Sequence, residues 1–181
     1  MNKNDDKILI RHKWFWAWND DKEEAWLRDM AQKGWHLKRA APFGEYLFSA
    51  GEPRDIVYRL DYVQVTRKNE DYFQLFRDAG WDYAGEMMGW QYWRMENQGN
   101  RMPEIFTDTD SKVKKYGRIL GWMIIFLPVL VFGLPRFTDI TENRNSLLVV
   151  GCFLLYTILV LFYSYAVLRL GLRIQSLRKK N

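Results

Sequence analysis

Residues 147–168 read LLVVGCFLLYTILVLFYSYAVL, a run of 22 residues with no charge, whose only polar atoms are hydroxyls and one thiol. As a helix rising ~1.5 Å per residue it would be about 33 Å long, enough to cross a hydrocarbon layer of roughly 30 Å. A second uncharged run, ILGWMIIFLPVLVFGLP at 119–135, lies just before it. It is slightly short alone, but Tyr116 and Gly117 can extend it, and Arg118 can snorkel to the interface. Neither run has the polar face that a helix in a soluble core carries. The reading is a transmembrane hairpin: helix 1 at 119–135, an external loop at 136–146, and helix 2 at 147–168.

The flanks set the orientation. Lys112, Lys114, Lys115 and Arg118 precede the first run; Arg169, Arg173, Arg178, Lys179 and Lys180 follow the second. In the loop, Arg136 and Arg144 are matched by Asp139 and Glu142. The positive-inside rule then puts both termini in the cytoplasm of a two-span cell-membrane protein, with residues 169–181 as a basic cytosolic tail. The opening residues MNKNDDKILIRHK contain no apolar run long enough for a leader, so none is expected. Cys152 is the lone cysteine and lies inside the second run, which excludes a disulfide within one chain.

Charge divides along the same line. Residues 1–110 hold 16 Lys and Arg against 20 Asp and Glu, whereas residues 111–181 hold 11 against 2. The basic isoelectric point therefore belongs to the membrane flanks, which suit anionic lipid headgroups. The acidic N-terminal part is a poor candidate for direct nucleic-acid binding. The lipid bilayer is the first expected partner, and Gly117 with Gly121 gives a small-xxx-small pair compatible with homo-oligomers.

The N-terminal 106 residues are long enough for one domain with its own core. Laid over themselves at a shift of 46, EAWLRDMAQKGWHLKRAAPFGEYLFS falls on DYFQLFRDAGWDYAGEMMGWQYWRM. Gly34-Trp35 meets Gly80-Trp81, Tyr46 meets Tyr92, and Trp26, Leu27 and Met30 meet Tyr72, Phe73 and Phe76. The shared order predicts an internal duplication, copy one at about 8–50 and copy two at about 55–96. Each copy reads strand, helix, strand, strand. Strands are expected at Ile8–Trp18, His36–Ala41 and Glu45–Phe48, then at Ile56–Val65, Asp82–Met87 and Trp90–Arg94. Asp20 with Glu23 three residues later fits a capping box for the first helix. Trp26, Leu27, Met30 and Ala31 form its apolar stripe; Tyr72, Phe73, Phe76 and Ala79 form that of the second. Gly34 and Gly80 stand where helices end in a left-handed residue. The fold class is α+β, with antiparallel sheet and both helices on one side. Thr107 to Ser111 reads as the cap of a juxtamembrane helix start at 107–118.

FWAWND and KEEAWLRDMAQKGWHL, then VYRLDY, LFRDAGWDYAGEMMGWQYWR and EIFTDTDSKVKKY, resemble successive blocks of a bacterial family known as domain of unknown function 2812. The resemblance covers residues 12–116. It implies membrane spans after the soluble part and a PadR-type transcriptional regulator as a partner; it assigns no catalytic or binding residue. The doubled unit is also similar in outline to the two-module drug-binding domains of the gyrase-inhibitor-like group, an analogy of fold alone.

Chemistry-bearing motifs are sparse. His12 and His36 lack partners at ligand spacing, so no metal is expected. Asp108 and Asp110 lack the glycine and closing glutamate of a calcium loop. No nucleophile elbow or phosphate loop occurs, so neither an enzyme nor a cofactor is expected. Asp61 shares a strand face with Arg59, and the two are read as a pair, structural or ligand-capturing if covered and ordinary if open. Aromatic content is the unusual feature: eight of the nine tryptophans precede residue 110. Trp14, Trp16 and Trp18 alternate as on one strand face, and Trp90, Tyr92 and Trp93 cluster in copy two. They read either as core or as a cleft between the copies for an apolar or cationic ligand or a partner segment. Three functions are compatible: a membrane-anchored cytosolic sensor or adaptor, an accessory subunit of a membrane transporter complex, or a membrane enzyme acting on lipid or envelope precursors through groups such as Asp61 and Glu86. The first is preferred.

Overall fold

The structure is a computed structural model that describes residues 7–63, 70–97, 99, 102–105, 109–140 and 147–179. The chain forms two compact units, Met1–Asp108 and Thr109–Asn181.

The first unit is mixed α+β and holds two antiparallel three-stranded sheets. β1 (Ile8–His12), α1 (Asp20–Gln32), β2 (Trp35–Ala41) and β3 (Glu45–Ala50) make one half. β4 (Ile56–Tyr62), α2 (Glu70–Asp78), β5 (Asp82–Met87) and β6 (Trp90–Glu96) make the other. The strand orders β1-β3-β2 and β4-β6-β5 are the same arrangement twice. In each sheet the third strand of its half sits in the middle, which makes the first strand an edge.

Cross-strand pairs explain the packing. Leu60 faces Tyr92 and Arg59 faces Trp93, and neighbouring residues on a strand point to opposite faces. Tyr58, Leu60 and Tyr92 join the cluster of Leu27, Met30, Ala31, Leu37, Tyr46 and Phe48. Val57 and Trp93 meet Phe76 and Trp81 beneath α2. The helices therefore pack on opposite faces of the second sheet, which corrects the expectation of both on one side. The second sheet is sandwiched because copy two carries apolar residues at both strand parities.

Several boundaries move. β1 ends at His12, whose partner Glu45 is the first residue of β3, so the strand stops where its template stops. Trp14, Trp16 and Trp18 lie beyond it and share no strand face. β4 ends at Tyr62; Gln64 and Val65 lie outside the described residues. Asn19, not Asp20, stands at the N-cap of α1, without a side-chain cap bond, and Asp20 is buried in the first turn. The stripe of α1 is as expected, but Ala79 is exposed past the end of α2. Gly34 and Gly80 take φ of +81° and +83°, and their N–H groups bond the carbonyls of Ala31 and Arg77, as helix-ending glycines do.

The inter-copy segment is stapled at both ends. Gly51 N–H bonds Gly34 O, Arg54 N–H bonds Ala31 O, and Asn97 N–H bonds Asp55 O. The Asp55 carboxylate takes Arg28 Nε at 2.5 Å and its NH2 at 2.7 Å, Gln32 Nε2 at 2.9 Å and Asn97 Nδ2 at 2.8 Å. The Arg28 guanidinium is the main cause that holds this carboxyl well below the usual range.

The second unit contains α3 (Thr109–Ile140) and α4 (Leu147–Arg178). Thr107 and Asp108 lie outside the described residues, as do 141–146 and Lys180. α3 continues through Ile140, so the first five positions of the expected external loop are helical: nothing in Arg136–Ile140 breaks a helix. α4 is long and apolar enough to cross a membrane: Val150–Arg178 contains an 18-residue stretch of mean hydropathy 2.0. Its Leu154, Leu155, Ile158 and Leu161 lie exposed, a large apolar surface that no described residue covers. The two helices touch: the Tyr163 hydroxyl donates to Met123 O, and Arg173 Nε lies 3.4 Å from the Tyr116 hydroxyl. Arg169 and Arg173 belong to α4 itself, so most of the basic tail is helical.

Both hairpins carry a large apolar residue in left-handed backbone. Met88 and Gly89 form the two-residue β5–β6 loop at φ +51° and +85°; Phe43 and Gly44, in the three-residue β2–β3 turn, take +63° and +75°. Asn–Gly is the favoured pair for such a loop, and left-handed geometry costs an ordinary L-residue about 1–2 kcal/mol. Met88→Asn is expected to stabilise the detergent-solubilised chain by about 1 kcal/mol, read as a later midpoint in urea unfolding followed by tryptophan fluorescence.

Candidate functional site

The first turn of α1 faces inward because its second half is anchored by Leu27, Met30 and Ala31. That geometry carries Glu23 into the interior, where it is 6% exposed. Its Oε1 accepts the Tyr46 hydroxyl at 2.7 Å and the Tyr92 hydroxyl at 2.6 Å. Tyr46 comes from β3 of copy one and Tyr92 from β6 of copy two, so one carboxylate oxygen joins the halves. Burial is the main cause that raises the Glu23 pKa, and the two tyrosine hydrogen bonds oppose it. Burial and the nearby carboxylate push both tyrosine hydroxyls far above the ordinary phenol range, so they remain donors.

Aromatic rings surround this group. Trp26 meets Tyr46 at 4.9 Å, Phe48 at 5.6 Å and Phe15 at 5.6 Å between centroids. The Lys13 ammonium lies over the rings of Trp26 and Phe15, 4.9 and 5.1 Å from their centroids. The rings packed against Tyr46 therefore already hold a cation. Glu24, the next residue, serves the fold instead: its Oε1 accepts Leu60 N–H at 2.9 Å, and its Oε2 pairs with Arg59 at 3.2 Å. It covers the unpaired edge of β4 with a largely buried carboxylate, which blocks further pairing there.

The residues singled out from sequence disperse. Trp14 and Trp16 are exposed; Trp16 stacks on buried Trp18 at 5.4 Å. Trp90 is half-buried against Tyr62 on the Tyr92 face. Trp93 is on the other face, fully buried and stacked on Phe76 at 4.4 Å. Arg59 and Asp61 do not form the expected pair: Arg59 reaches Glu24 and, at 2.9 Å, Glu104, while buried Asp61 accepts the Tyr72 hydroxyl at 3.2 Å. A helix carboxylate waits within reach of the guanidinium, which decides the competition. The groove between the halves, about 520 Å³, is lined by His36, Glu52, Arg54, Asp82, Arg94 and Glu96 among others, charged groups and no tryptophan. Of the named set, only Tyr92 touches Glu23. Glu23 and Tyr46 were not on it, because the spacing from Asp20 gave Glu23 a capping role. The pairing of Tyr46 with Tyr92 in the overlay was the available signal. Among the described residues, no three His, Cys, Asp or Glu side chains converge as metal ligands.

The family model described as "Protein of unknown function (DUF2812)" matches residues 19–127, and the chain belongs to that family. The match begins at the N-cap of α1 and runs into α3, so it takes in the second half of the first unit whole but leaves out β1 and Trp14–Trp18 of the first half. No curated protein and no solved structure matches the chain.

Glu23 sets a pH dependence whose sign follows from its raised pKa. The folded chain holds this proton more tightly than the unfolded chain, so its contribution is fully present below the ordinary value of 4.5 and fades as pH rises through the folded pKa. Relative to Glu23→Gln, which keeps the shape without the titration, the wild-type chain is expected to gain stability as pH falls from about 7 to about 4.5. Urea midpoints across that range check it; parallel curves for the two chains contradict it.

Proposed function

We propose that this chain is a membrane-anchored cytosolic sensor or adaptor that recognises a cation with an apolar body at the Glu23 cluster. One observation carries the reading: a buried carboxylate held by one tyrosine from each half, of which Tyr46 packs against Trp26, the ring on which a lysine ammonium rests. A cation reaching Glu23 would compensate a charge whose burial is otherwise unfavourable, and the rings supply cation–π attraction. It would also disturb the tyrosine pair that joins the copies, so occupancy can alter how the halves meet. That is a means of relaying binding to a partner, for which a PadR-type regulator is the candidate.

The anchor in this reading is two-span. The α4 surface supports one crossing, and the apolar part of α3 supplies the other. Basic residues at both outer flanks favour cytoplasmic termini.

Titrating the full chain with benzyltrimethylammonium tests recognition. Saturable tryptophan quenching is expected, with a Kd at least about tenfold weaker in Glu23→Gln, roughly 1.4 kcal/mol. Equal affinity in the two chains removes Glu23 from the site. Topology is tested in a Cys152→Ser background: Asn143→Cys is expected to react with an impermeant maleimide on intact cells, and Lys179→Cys only after lysis. The reverse pattern overturns the orientation.

A further inference from the structure

The groove between the halves contains two opposite charges that do not pair with each other. Asp82 opens β5, and Arg94 lies opposite it on β6; Tyr58 of β4 lies opposite Arg94 on the other side. Residues directly opposite one another on neighbouring strands share a face. On that face the Tyr58 hydroxyl accepts the Leu37 N–H at 3.3 Å. Burial raises the Tyr58 pKa; the Leu37 N–H and the adjacent Arg94 guanidinium oppose it. Asp82 and half-buried Arg94 both line the groove.

Other charges of the groove are engaged. Arg54 binds Glu52 at 3.0 Å and Glu96 at 3.7 Å, and His36 Nε2 meets Glu52 O at 2.8 Å. Among the described residues, Arg94 has no carboxylate in ion-pair contact, and the Asp82 carboxylate has no partner. The Arg94 guanidinium has thus lost part of its hydration without gaining an anion.

The spacing of the two charges selects a ligand. Residues facing each other across an antiparallel ladder have Cα atoms only about 4.5–5.5 Å apart. A ligand meeting both heads must carry its own anion and cation close together. An α-amino acid does: its carboxylate suits the planar fork of a guanidinium, and its ammonium suits a carboxylate. A dicarboxylate would set one charge against Asp82, and a diamine would set one against Arg94. The groove encloses about 520 Å³, within the size range of small-molecule sites, and Ala50, Ile56 and Met95 supply an apolar part of its wall. That part suits an aliphatic side chain.

We propose that this groove binds a free α-amino acid with an aliphatic side chain, Arg94 holding its carboxylate and Asp82 its ammonium. The inference is independent of the ligand at Glu23, which bonds none of the groove's lining residues.

Isothermal titration of the detergent-solubilised full chain with L-leucine is the test. Saturable binding is expected, with a Kd at least about tenfold lower than for N-acetyl-L-leucine, which lacks the ammonium, or L-leucinamide, which lacks the carboxylate. Arg94→Gln should remove the preference over L-leucinamide, and Asp82→Asn the preference over N-acetyl-L-leucine. This crossed pattern does not arise from misfolding. Asp82 is exposed, so Asp82→Asn should also keep the wild-type urea midpoint. No saturable binding of L-leucine overturns the proposal. Equal affinity for N-acetyl-L-leucine makes the groove a plain anion site, and equal affinity for L-leucinamide a plain cation site; either result overturns it too. Glu23→Gln should bind L-leucine as wild type does, and a tenfold loss there would move the amino acid to Glu23 and overturn the assignment. Failure of benzyltrimethylammonium binding leaves the groove untouched.

Discussion

The two halves of the first unit meet at one carboxylate oxygen. Each half has a small sheet with a single helix, and neither encloses its own apolar residues fully. Tyr58, Leu60 and Tyr92 of copy two complete the cluster begun by α1 and the first sheet. In the middle of that cluster Glu23 accepts a hydroxyl from each half. A buried carboxylate without partners would cost several kcal/mol. With two phenol donors the penalty is reduced, but the halves must stay in register for both bonds to survive. The arrangement exchanges some stability for a defined mutual position, which a well-packed apolar core would not enforce as sharply.

Other contacts around α1 repeat this logic at lower cost. Arg28 clamps Asp55 in the inter-copy segment, Glu24 takes the N–H of Leu60 and the guanidinium of Arg59, and Gly34 O receives Gly51. The first helix is thus the hub of the unit, reaching its own sheet, the segment between copies and the edge of the second sheet. The second helix has no such role. It lies on the far face over Val57 and Trp93, a local apolar lid. One element order, used twice, serves two purposes because the helices meet different neighbours.

Much of the architecture was legible in the sequence for reasons that can be named. The strand–helix–strand–strand order shows in the periodicities, and Gly34 and Gly80 mark helix ends because only glycine takes that backbone readily. The apolar stripe of α1 follows from 3.6-residue spacing. The site was less legible because the deciding facts are not local. The end of β1 is set by where β3 begins, 33 positions on, so Trp14, Trp16 and Trp18 could not be placed by alternation alone. Arg59 and Asp61 share a strand face, but the contest for the guanidinium is won by Glu24 from a different element. Glu23 satisfies a capping rule in sequence and is turned inward by the anchoring of Leu27 and Met30. Short-range rules assign each carboxylate a plausible local task; tertiary packing decides which of them keeps it.

The same reasoning separates the two unusual surfaces of this chain. The Glu23 cluster is buried and hydrogen-bonded, so an occupant of the kind proposed would have to displace a group already satisfied, such as a tyrosine hydroxyl. The Trp14–Phe43 turn is open and apolar, and its strain is local to that turn. Lys13 touches both, since its ammonium rests on Phe15 and Trp26 while its N–H fixes Gly44.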